Sequence, residues 1–167
     1  MRRYFNTEGA CRPEEHYMVA LDTRLEWIKT MLVDRKKYFV INKGRQFGKT
    51  TTLKALAKYL ATDYVIFSLD FQKMGTITFG DETTFSKGFI DKLLAALRRA
   101  ASENEKMLQV MLSDFKDNNS NVIMDDLFAF LSSMCERSSR PVVLMIDEVD
   151  SASNNQVFID FLAQLRA

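Results

Sequence analysis

Apolar residues fall along the chain in two rhythms, one helical and one continuous. Leu21, Leu25, Ile28 and Leu32 recur every three or four positions and share one face of a predicted helix, with Trp27 and Met31 beside it. "KKYFVI" at 36–41 then has the apolar run expected of a short buried strand ending near Ile41. "KTTTLKALAKYL" returns to the helical period, with Leu53, Leu56, Ala57 and Leu60 on one stripe, and "YVIFSLD" at 64–70 predicts a second strand. Residues 72–140 read as mostly helical. Phe85, Phe89, Leu93 and Leu97 form one stripe, and Ile123, Leu127, Leu131 and Met134 form another. "KDNNSN" at 116–121 separates them as a loop whose last serine or asparagine caps the next helix. "PVVLMIDEVD" predicts a strand buried on both faces and closing on acids, and "QVFIDFLAQLRA" begins a further amphipathic helix. The order strand, loop, helix, strand, helices, strand, helix is that of a parallel α/β sheet.

Composition narrows this picture without redirecting it. A chain of 167 residues, 47% hydrophobic and 27% charged, is long enough for one globular domain, taken here as residues 1–167. A formal net charge of +1 creates no field that draws in nucleic acid or anionic membrane. Cys11 and Cys135 fit neither a metal spacing nor a disulfide framework, so a reducing cytoplasm is expected. No apolar run follows the arginines of the amino terminus as a signal peptide requires, and "VVLMI" is too short to span a bilayer. No membrane association is expected. The last helix is still running at Ala167 with no terminating residue, which predicts the amino-terminal part of a longer protein.

The candidate chemistry lies at two strand ends. "NKGRQFGKTTTL" comes close to the phosphate-binding pattern G-x-x-x-x-G-K-[ST], but Lys43 stands where the first glycine belongs and Gly44 follows one place late. The functional parts are otherwise present. Gly48 allows close backbone approach to an anion, Lys49 carries a cation to β- and γ-phosphates, Thr50 can reach Mg²⁺, and Thr51 lies within reach of an α-phosphate. Taken alone, the segment favours a phosphate site, with a basic turn opening a helix as the alternative reading. The second acidic segment separates the two readings: Asp147 and Glu148 end an apolar strand, where ligands of open α/β sheets collect. An aspartate there holds a magnesium shell, and the adjacent glutamate orients and deprotonates water.

Together these segments resemble the AAA-like P-loop ATPases of bacteria and archaea, in the division with an added core strand and a catalytic glutamate. "YFNTEG", "HYM" and "SLDFQ" extend the likeness from the amino terminus to about Gln164. In the most similar group the first loop glycine is often absent, which accommodates Lys43. The resemblance implies a three-layer αβα P-loop NTPase fold with a parallel sheet. That fold would be incomplete for want of the strands after Asp147, with a helical insertion between the second strand and the acidic one. It implies ATP and Mg²⁺ as ligands, with Arg45, Gln46, Phe47, Gly48, Lys49, Thr50 and Thr51 as the nucleotide-binding loop and Thr50 and Asp147 on the metal. Lys49 and Glu148 would be the catalytic residues, and Asp70 would support the acidic strand end. In this division the added strand lies between the loop strand and the acidic strand and follows the latter in sequence; here the chain ends before it. No arginine finger is identifiable, and Arg166 has no context that marks it as one.

The functional expectation is Mg-ATP binding and hydrolysis, coupled to a carboxyl-terminal region. Two alternatives remain: a nucleotide-dependent switch or scaffold without turnover, and a nucleic-acid-directed motor or loader. Near-neutral charge and the absence of basic–aromatic interleaving argue against direct nucleic-acid contact, and no N-K-x-D guanine-reading motif points to GTP. The Arg98–Arg99 pair reads as a solvated helical face, Trp27 and the phenylalanines as core, and His16 and Tyr17 as part of an amino-terminal arm. The helical region is a candidate surface for self-association or a partner protein.

Overall fold

The computed structural model describes residues 4–5, 11, 14–17, 19–42, 48–73, 75–98, 102–152 and 154–166. They fall into two compact units, Met1–Thr62 and Asp63–Ala167.

The first unit holds α1 (Asp22–Ile28) and α2 (Lys49–Leu60). α1 runs directly into a π-helical turn, Lys29–Val33, in which the Asp34 N–H donates to the Lys29 carbonyl at 2.8 Å. This wider turn moves the buried stripe by one residue. Leu25 and Ile28 are buried as their spacing predicts, but the next buried residue is Val33 and Leu32 is only half-buried. Lys36, at φ 53°, closes the segment, and Lys37 N–H donates to Leu32 O at 3.0 Å. Trp27, expected in the core, is 56% exposed. α2 keeps its predicted stripe, with Leu56 and Leu60 buried and Leu53 and Ala57 half-buried.

The strand expected at 36–41 is not formed. Residues 37–42 have no regular structure, with Tyr38 52% and Val40 74% exposed while Phe39 and Ile41 are partly covered. The alternation is that of an extended segment with one covered side. A strand exists, however, only where a neighbour completes its hydrogen-bond ladder, and among the described residues the sheet contains two other strands only.

Those strands form the second unit's centre. β1 (Val65–Asp70) and β2 (Val142–Asp147) pair in parallel from Val65 opposite Val142 to Asp70 opposite Asp147. Parallel neighbours need a long crossover. Here it carries α3 (Glu82–Ala96), α4 (Glu103–Asn118) and α5 (Met124–Arg137), and α6 (Gln156–Arg166) follows β2. The described chain therefore has an α/β architecture: six α-helices and a two-stranded parallel sheet. β2 was expected to be buried on both faces. Only Met145 is buried and the other five residues are half-buried, as befits a strand with one described neighbour.

Phenylalanine rings dominate the core of this unit. Phe158 meets Phe71 at 5.0 Å, and Phe161 meets Phe89 at 4.8 Å and Phe85 at 5.1 Å, in tilted and edge-on geometries that aromatic quadrupoles favour. The α3 stripe is buried as predicted at Phe85, Phe89, Leu93 and Leu97. Caps set the helix starts. The Asp81 carboxylate accepts the Thr84 N–H at 2.8 Å at the head of α3, which together with the Thr84 hydroxyl holds its pKa below the ordinary value. Ser102 and Glu105 form a reciprocal capping box on α4, and Arg140 joins it through Glu105 at 2.9 Å.

α5 departs from expectation at its start. No serine or asparagine caps it; Ile123 occupies that position, and its N–H donates to Asp126 at 3.3 Å. Ile123 is still extended, at ψ 171°, so the local period is two: Val122 and Met124 turn inward and Ile123 outward. Leu127 and Met134 are buried as predicted, and Leu131 is partly so.

Ser86 on α3 is fully buried, and its hydroxyl has no hydrogen-bond partner. An unsatisfied buried hydroxyl costs on the order of 1 kcal/mol or more. Ser86→Ala is therefore expected to raise unfolding stability by about 1 kcal/mol, read as a higher midpoint in urea with an unchanged slope; an unchanged or lower midpoint contradicts this assignment.

Candidate functional site

α2 begins abruptly. Gly48 precedes it in the left-handed region, at φ 73° and ψ 28°, and the Thr52 N–H closes the first turn on the Gly48 carbonyl at 2.9 Å. Only glycine takes that conformation without steric cost. Among the described residues nothing lies within 4 Å of the place where a Cβ would sit, so the requirement comes from the backbone conformation. Gly48 has no side chain to cap this end, and no acid lies in its first turn, where Lys49 stands instead. The N–H groups of a first helical turn have no acceptor within the helix, and they carry the positive end of the helix dipole. A cation there is unfavourable for an isolated helix. An anion reverses the balance, because it accepts from the backbone and pairs with Lys49.

Lys49, Thr50 and Thr51 are each half-buried at this end, and the Thr51 hydroxyl accepts the Cys11 N–H at 3.2 Å. Nothing in the sequence signals that bond, since its partners are forty positions apart. Arg45, Gln46 and Phe47, together with Lys43 and Gly44, lie outside the described residues.

In the second unit, the register places Asp70 beside Asp147 at the carboxyl ends of β1 and β2. Neighbouring residues in parallel strands project to the same face, so the pairing brings two carboxylates together. Asp70 Oδ1 accepts the Gln72 N–H at 3.0 Å and Asp147 Oδ1 accepts the Glu148 N–H at 3.1 Å, each at the start of the turn that leaves its strand. Asp147 is half-buried and Glu148 exposed. Glu148 sits at φ 57° and ψ 41°. A left-handed glutamate is costly, and such outliers collect at functional positions. Among the described residues no three acidic, histidine or cysteine side chains converge as a metal cluster.

Comparison with known families decides the relationship. The family described as nephrocystin 3, N-terminal, matches residues 22–167. The chain belongs to this family. The match includes α1, the turn before α2 and the whole second unit, and so spans every candidate residue from Arg45 to Glu148. No curated protein and no solved structure matches the chain.

Gly48 and Glu148, both left-handed, give opposite expectations. Gly48→Ala should lower stability by about 1–2 kcal/mol through strain alone. Glu148→Gly should leave stability unchanged or raise it by up to about 1 kcal/mol, since relief of strain opposes the added chain entropy. Thermal or urea unfolding of both variants checks this; clear destabilisation by Glu148→Gly contradicts it.

Proposed function

We propose that this member of the nephrocystin 3 N-terminal family is a P-loop nucleotide-binding protein of the AAA-like kind that binds Mg-ATP and hydrolyses it. One observation carries this function above the rest: α2 opens on a left-handed glycine, with no acid and with Lys49 in its first turn. That end is unfavourable by itself and favourable around a phosphate chain. The paired strand ends support it independently. Asp70 and Asp147 end neighbouring strands side by side, with Glu148 next in sequence, and carboxylates are the side chains that take a hard divalent cation. Mg²⁺ is commonly held by one or two carboxylates with phosphate oxygens and water, not by an all-protein cage.

Each residue then has one task. Gly48 keeps the backbone open to the phosphates, and Lys49 sets its ammonium against the β- and γ-phosphate oxygens. Arg45, Gln46 and Phe47 complete the loop, and Thr51 reaches the α-phosphate. Thr50 and Asp147 are the Mg²⁺ residues that the resemblance to AAA-like ATPases implies, and the ion would supply charge neutralisation at the transferring phosphoryl group. Glu148 orients the attacking water and takes its proton. Asp70 keeps Asp147 in place from the neighbouring strand.

Lys49→Ala should abolish ATP binding, whereas Glu148→Gln should keep binding and lose about 100-fold or more in turnover. Equilibrium binding and phosphate release on the two variants beside the unmutated protein separate these roles. Turnover that survives Lys49→Ala would rule out this assignment.

A further inference from the structure

We infer that the amino-terminal arm reads the occupancy of the α2 amino end through the Thr51 hydroxyl. The arm is tied to itself first. Tyr4 N–H donates to the Glu15 carbonyl at 3.1 Å, and Tyr17 N–H donates to the Tyr4 carbonyl at 3.0 Å, forming a parallel bridge between Tyr4 and His16. The Tyr4 ring meets the His16 ring edge-on at 4.8 Å, and Phe5 meets Tyr17 at 5.1 Å. His16 is buried. Cys11 lies in sequence between these paired ends, and its N–H donates to Thr51 Oγ1 in the first turn of α2. The bridge and the Cys11 bond together fasten the arm to the turn that begins the phosphate-binding helix.

A threonine hydroxyl has two acceptor lone pairs and a single proton. The Cys11 N–H uses a lone pair, so the proton is what Thr51 can offer to a phosphate oxygen. A hydroxyl that donates to an anion becomes a better acceptor on its other side. Nucleotide at α2 therefore tightens the Cys11 bond and the arm with it. By linkage, the fastened arm raises nucleotide affinity by the same factor. This inference rests on the phosphate role proposed above for the α2 amino end.

Amide hydrogen exchange at Cys11, measured on the full chain with and without Mg-ATP and alongside equilibrium ATP binding, tests it. Mg-ATP should slow exchange at Cys11 by about fivefold or more, the lower end of ordinary coupling between sites. Thr51→Val, which keeps the shape and removes the hydroxyl, should exchange quickly in both conditions and bind ATP about fivefold more weakly. Thr51→Ser should restore both properties, which a merely structural effect would not do. Cys11→Pro removes the donor and leaves α2 intact, and it should weaken ATP binding to the same extent. ATP that binds normally while Cys11 exchange stays unchanged overturns the inference and leaves the nucleotide function standing. So does normal affinity in Cys11→Pro. Absence of ATP binding in the unmutated protein overturns the nucleotide function, and the inference falls with it.

Discussion

Parallel pairing of β1 with β2 is the constraint on which the second unit depends. Strands that run the same way cannot be joined by a tight turn, and residues 71–141 accordingly carry three helices before the chain returns. Those helices bring Phe85, Phe89 and Phe128 into the cluster that Phe158 and Phe161 of α6 complete, so the crossover is also the core. The same pairing has a chemical result. Strands in this register end together, and Asp70 and Asp147 stand side by side because Val65 stands beside Val142. A one-residue slip would move every side chain of one strand to the other face and separate the carboxylates.

Backbone conformation concentrates the rest of the chemistry at two positions. Gly48 enters α2, and Glu148 leaves β2, through left-handed geometry. Glycine adopts it freely, whereas glutamate does so at a cost. At the first position the chain has the residue that geometry favours. At the second it holds a carboxylate in a conformation that glycine adopts at lower steric cost. Membership of the nephrocystin 3 N-terminal family covers both positions. The nucleotide chemistry proposed for them rests on helix-end electrostatics and on the grouped carboxylates.

Much of this was legible in the sequence. The stripe Phe85, Phe89, Leu93 and Leu97 and the apolar run before Asp147 each became the expected element, because long periodic segments report their own buried face. Asp70 was placed at the acidic strand end, and the register puts it there. The misses have local causes. A π turn, whose hydrogen bonds skip one residue more than those of an α-helix, moved burial from Leu32 to Val33. Ile123 lies one residue before helical geometry begins, and so obeys a period of two. "KKYFVI" has strand composition, but a strand is a property of two segments, and composition describes one. The Cys11–Thr51 bond joins an irregular arm to a helix with no periodic pattern to announce it.

The most direct measurement is calorimetric titration of the unmutated protein with ATP, with magnesium and without it, followed by AMP. If the α2 amino end binds nucleotide, ATP will saturate a single site and bind more tightly with magnesium. AMP, which lacks the β- and γ-phosphates that Lys49 is held to contact, will bind far more weakly. Absence of saturable ATP binding, or equal affinity for ATP and AMP, would contradict the account.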